Sequence, residues 1–136
     1  MIRLRMPSRL EYRDLAIRTV ASACKLVPDG GDDFHNGVIS AFSEALNNVI
    51  LHGYGPAVGE VEIEIEPRQD RLIIRLMDYG KTFDPRLAPL PDLDNLPESG
   101  LGVFIMRSFM DDISYAGGAP NMLSMTKLSH PNKRGP

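Results

Sequence analysis

The stretch that most restricts the fold is Glu60-Val61-Glu62-Ile63-Glu64-Ile65-Glu66, where charged and apolar residues alternate without a break. Successive side chains of a strand point to opposite faces, so this pattern predicts a strand with one wet, glutamate-lined face and one apolar face. Pro67 to Asp70 supplies a turn, and Arg71-Leu72-Ile73-Ile74-Arg75-Leu76-Met77 returns as the second strand of a hairpin. A sheet wet on one side needs cover only on the other. The expected architecture is therefore a two-layer sandwich with the helices on one face, not a doubly wound sheet. Leu72, Ile74 and Leu76 share one parity with Asp78. A regular strand points that carboxylate into the helix layer, where it needs a partner; otherwise Asp78 is a turn residue ahead of Gly80.

The 136 residues suffice for one domain with its own core, expected over residues 1–128 with a loose tail over 129–136. The single cysteine, Cys24, excludes an internal disulfide and sits in an apolar helical pattern, as a core thiol would. A net charge of −3 without a basic patch speaks against direct nucleic-acid binding. No apolar run approaches the ~20 residues of a membrane span, and the first residues alternate rather than form a signal-peptide core. A cytoplasmic, membrane-free protein is expected.

At the N-terminus, Ile2, Leu4 and Met6 alternate with Arg3 and Arg5 up to Pro7, a short strand suited to a sheet edge. Ser8-Arg9-Leu10-Glu11 matches a capping box, predicting a helix that turns Leu15, Val20, Cys24 and Val27 inward until Pro28-Asp29-Gly30-Gly31 ends it. Asp32 or Asp33 can cap a second helix that runs to Gly53, with Pro56 just beyond and Gly37 marking close packing. In that helix Phe42, Ala45, Leu46 and Val49 fall on one side. Glu44, Asn48 and His52, spaced i, i+4, i+8, form a neighbouring stripe. Such a stripe can simply be solvated. It can also do chemistry, because a carboxylate can take a proton from a hydroxyl and an amide oxygen is a hard ligand suited to magnesium.

Lys81 to Ser99 carries Pro85, Pro89, Pro91 and Pro97 with no sustained period, a long loop of the kind that forms lids and binding loops. Gly100-Leu101-Gly102 then opens an apolar helix, whose first N–H groups and dipole can receive an anion or can be a plain loop-to-helix junction. Ile113 to Ala116, a turn over Gly117-Gly118-Ala119-Pro120-Asn121, and Met122 to Leu128 read as a closing hairpin.

Three features thus occur in one order: Glu44-x-x-x-Asn48 with His52-Gly53-Tyr54, Asp78-x-Gly80, and Gly100-x-Gly102 with Met106 and Phe109-Met110-Asp111-Asp112. The series resembles the ATP-binding domain shared by DNA gyrase, heat-shock chaperones, sensor histidine kinases and MutL, the GHKL superfamily. Within it, the chain is similar to the small anti-sigma-factor serine kinases. The resemblance implies the Bergerat, or histidine-kinase-like ATPase, fold: α+β, with a mixed, mostly antiparallel sheet. It implies ATP and magnesium as cofactors, Glu44 as the base that takes the proton from the attacking hydroxyl, and Asn48 as the magnesium ligand. Asp78 corresponds to the acceptor for the adenine amine and Gly80 to the glycine that keeps the backbone close to the base. Gly100, Leu101 and Gly102 correspond to the lid hinge over the triphosphate; His52 reads as a supporting group, a core residue or a helix-end hydrogen bond. The threonine that relatives carry on the last strand has only Ser124 and Thr126 as candidate counterparts, and Arg86 and Arg107 are the nearest basic groups to the glycines. The implied activity is a serine-protein kinase that phosphorylates a STAS-type antagonist, sequesters a sigma factor and forms a homodimer. A nucleotide-holding regulatory module without phosphate transfer is the alternative, and a detached histidine-kinase catalytic domain a weaker third.

Overall fold

The computed structural model describes residues 1–82, 84 and 98–130, with the backbone alone for 98–103. Five strands form one sheet: β1 (Ile2–Pro7), β2 (Glu60–Pro67), β3 (Arg71–Asp78), β4 (Asp112–Ala116) and β5 (Asn121–Leu128). Their order is β1-β2-β3-β5-β4, and every pairing is antiparallel, so the expected admixture of parallel strands is absent among the described residues. As the alternation requires, Val61, Ile63, Ile65, Leu72, Ile74 and Leu76 are all fully buried. Asp78 continues their parity and is 6% exposed. The glutamates of β2 take the open face, where Glu64 pairs with Arg3, Glu60 and Glu62 with Arg5, and Glu66 with Arg68 and Arg75.

Helices α1 (Arg13–Cys24), α2 (Gly31–Asn48) and α3 (Glu98–Phe109) cover the other face, with α2 packed against both of the others. Phe42 and Leu46 of α2 are fully buried and belong, with Val20, the inward residues of the sheet and Met106 of α3, to one continuous core. Each such side chain stabilises the fold by roughly 1.5–3 kcal/mol. Cys24 lies in this core, and burial pushes its thiol up to about 11, as befits a packing residue. Gly37 is the close approach expected of it: a Cβ there would meet Lys127 Cε at 3.0 Å.

Four expectations fail for identifiable reasons. Ser8 does not cap its own helix. Its Oγ accepts from Gly59 N at 2.8 Å, tying the end of β1 to the start of β2, and the chain passes through a 3₁₀ turn, Leu10–Tyr12, before α1. Leu15 is 54% exposed, and Ala16 fills the inward position. The second helix does not stop at Gly53. After Asn48 it widens into a π-helical turn, Val49–Tyr54, and ends at Gly55, whose φ of 59° is the left-handed conformation glycine tolerates. Ser129, assigned to the tail, is tied down instead, its N–H donating to Asp70 O at 2.8 Å, while residues 131–136 lie outside the described residues. The proline-rich lid, including Arg86, lies outside the described residues apart from its first positions.

Candidate nucleotide site

The π turn places the cleft. Gly53 O within it accepts from Lys81 N at 2.7 Å, which lays the loop after β3 directly on the end of α2. Gly80 makes that approach possible: a Cβ there would stand 2.6 Å from both the carbonyl carbon and the oxygen of Gly53. The partner for which this glycine makes room is thus protein main chain. Gly80→Ala should therefore lower stability by about 1–3 kcal/mol through overpacking. Gly53→Ala, whose Cβ would meet nothing nearer than Asp78 Oδ1 at 3.7 Å, should cost far less. Urea unfolding of the two variants checks the contrast, and equal losses would contradict it.

Tyr54 fastens the same loop from the other side. Its hydroxyl donates to Glu60 O at 2.6 Å and accepts from Tyr79 N at 2.8 Å, joining the helix end, the start of β2 and the residue after Asp78. Burial pushes its ionisation upward, so the hydroxyl keeps the proton it donates.

Ala45, Asn48, Val49, Gly53, Asp78, Lys81, Met106, Tyr115 and Leu123 line one cleft between α2, α3 and the sheet. It brings Asn48 and Asp78 together. Glu44 does not line it; it stands half-buried one helical turn before Asn48. His52 leaves the stripe, because a π turn advances each residue by less than the 100° of an α-helix, and it ends exposed. Gly100, Leu101 and Gly102 fall inside the first turns of α3, whose Met106 reaches the cleft. The N–H groups of Glu98 to Leu101 are the ones an α-helix leaves without intrahelical acceptors.

The polar groups of the cleft are unevenly satisfied. Asp78 Oδ1 accepts from Gly80 N at 2.9 Å and Asn121 Nδ2 at 3.1 Å, whereas Oδ2 has no partner among the described residues. Asn48 Nδ2 is buried without any hydrogen bond. Leaving a buried amide unpaired costs about 1–3 kcal/mol, so this group stands out among the polar atoms of the cleft. A half-turn of the side chain puts the amide oxygen there instead, which is what a hard cation requires.

Asn121 was missed by sequence reasoning, which placed it in a turn and looked to Ser124 and Thr126 as polar candidates on the last strand. Those two share the parity of exposed Met122 and face away from the cleft. Asn121 shares the inward parity of buried Leu123 and Met125 and is itself 1% exposed. The signal was available in that alternation.

An antiparallel sheet is thus covered on one side by three helices, and an inward aspartate opens into the cleft between them and the sheet. Residues 6–127 match the histidine kinase-like ATPase domain, and the chain belongs to that family. More particularly, it is similar to the serine-protein kinase RsbW of Bacillus cereus (strain Q1), 31% identical over 134 residues that cover 93% of this chain and 83% of that protein. The RsbW proteins of Bacillus thuringiensis subsp. konkukian (strain 97-27) and Bacillus mycoides (strain KBAB4) are similar to the same extent, each 31% identical over 134 residues and the same shares of both chains. No helix among the described residues is long and apolar enough to cross a membrane.

Proposed function

We propose that this chain is an ATP-dependent serine-protein kinase and anti-sigma factor, acting in the cytoplasm as a homodimer. It phosphorylates a STAS-type antagonist and, in its other partner state, sequesters a sigma factor. The observation that carries the reading is the meeting, in one cleft, of a buried aspartate with an unused oxygen and an asparagine with a buried, unpaired amide. Asp78 accepts a hydrogen bond from the exocyclic amine of adenine, and Asn48 would hold magnesium through its amide oxygen. Magnesium, when bound, neutralises charge on the phosphates, and one protein ligand plus phosphate oxygens suits its habits. The first N–H groups of α3, which have no intrahelical acceptor, receive phosphate oxygens, with Gly100 and Gly102 on either side of Leu101 allowing close approach. Glu44, one turn before Asn48, takes the proton from the attacking serine hydroxyl. The similarity to serine-protein kinases supports transfer, as does the joint presence of Glu44 and Asn48.

A second reading, a module that holds nucleotide and switches partners without transferring phosphate, draws on the position of Glu44 outside the cleft lining. Purified protein with labelled ATP, magnesium and STAS-domain proteins from the same genome separates the two. Phosphoserine on one of those proteins is the expected result; nucleotide binding with no transfer to any of them would favour the module.

A further inference from the structure

Asn121 is the most enclosed polar side chain among the described residues, at 1% exposed. It opens β5 directly opposite Asp78 in the β3–β5 register. Both ends of its amide are committed. Nδ2 donates to Asp78 Oδ1 at 3.1 Å and to Gly80 O at 2.9 Å, while Oδ1 accepts from Thr82 Oγ1 at 3.1 Å and Gly118 N at 2.9 Å. A main-chain N–H can only donate, so Gly118 fixes which end of the amide is oxygen, and the NH₂ must face Asp78. One side chain therefore joins the end of β3, the Gly80 loop, Thr82 and the turn before β5.

We propose that Asn121 is the positioning residue that sets nucleotide selectivity, by saturating Asp78 Oδ1 and leaving Oδ2 as the one acceptor offered to a ligand. The inference rests on the reading of Asp78 as the adenine acceptor. With Oδ1 held by Asn121 and Gly80 N, the carboxylate cannot swing to accommodate a different donor pattern. A base with an amine at that place is accepted, and one with a carbonyl there meets an acceptor facing an acceptor. Without Asn121 only Gly80 N still holds Oδ1, the carboxylate is freer to turn, and the discrimination weakens although Asp78 itself is intact.

The test is calorimetric binding of magnesium-ATP and magnesium-GTP to the full chain, with Asp78→Asn as reference. Asn121→Leu keeps the size and removes the hydrogen bonds. It should weaken ATP binding by roughly tenfold or more, the effect of leaving buried partners unpaired, and reduce the ATP-over-GTP preference to that of Asp78→Asn. The double variant should bind no worse than Asp78→Asn alone, because the role runs through Asp78. Wild-type affinity and preference in Asn121→Leu, or losses that add in the double variant, would overturn the inference. Asn121→Asp guards against a misfolded leucine variant. It sets two carboxylates side by side, which must share a proton. Its ATP affinity relative to wild type at the same pH should rise as pH falls, because the shared proton lets one carboxyl donate to the other as the amide did. A pH-independent loss, or none, would overturn the inference equally. If Asp78→Asn itself keeps wild-type affinity and preference, the reading of the cleft falls and this inference with it. If Asp78→Asn loses both and the Asn121 variants do not, only the role of Asn121 falls.

Discussion

Glu44→Gln should reduce phosphate transfer by about 10²–10⁴-fold, the range a positioned general base supplies, while magnesium-ATP affinity stays close to wild type. The glutamine has the same length and a similar shape, so packing beside Ala45 and Asn48 is kept, but its amide cannot take a proton. Glu44 lies outside the lining of the cleft and is half-buried, so little binding should depend on it. Single-turnover transfer of labelled phosphate, run beside calorimetric binding, checks both halves. Equal transfer by the variant would remove Glu44 from the role of base. A parallel fall in affinity would mean that its contribution is to the ground state instead.

Asn48→Ala should show the opposite division, losing function without losing stability. Its Nδ2 is buried with no hydrogen bond, a cost of about 1–3 kcal/mol, and the alanine removes that cost together with some packing contact. The melting temperature of the ligand-free protein should therefore be equal to or above wild type. Magnesium-dependent ATP affinity should fall on the order of 10–100-fold, the scale on which metal sites respond to losing a group that supports the ion. A substantially destabilised variant that still binds magnesium-ATP would show that the amide is structural and that the assignment is wrong. Functional groups are often held unsatisfied in this way, and the two measurements together detect it.

Much of this could be read from residues alone, and the reasons differ by element. The hairpin was legible because period-2 alternation over seven residues admits one solution for which face is buried, and Asp78 inherited its inward direction from Leu72, Ile74 and Leu76. The nearness of Asn48 to Asp78 came from the resemblance, since no local pattern tells one strand end which helix it meets. Glycine followed by proline usually signals a helix end, yet Gly53 is where the helix lies against Gly80 and Gly55 takes the positive φ. A π turn has no sequence signature comparable to a cap, so the departure of His52 from the stripe was invisible. Ser8 was given to its own helix because a capping box is local, while the bond it makes is to Gly59, far along the chain. Asn121 was hidden by its neighbours Gly117, Gly118 and Pro120, which mark a turn so strongly that the strand beginning on the asparagine was overlooked.

The open face of the sheet has its own bearing on how partners find this molecule. All four glutamates of β2 are matched by arginines drawn from β1, β3 and the β2–β3 turn, so positive and negative charge cancel within a side chain's reach. A surface neutralised at that scale projects almost no field beyond a Debye length. Encounters on that side are then governed by shape and contact chemistry, not by long-range attraction, and any ionic-strength dependence of partner capture has to originate elsewhere on the molecule.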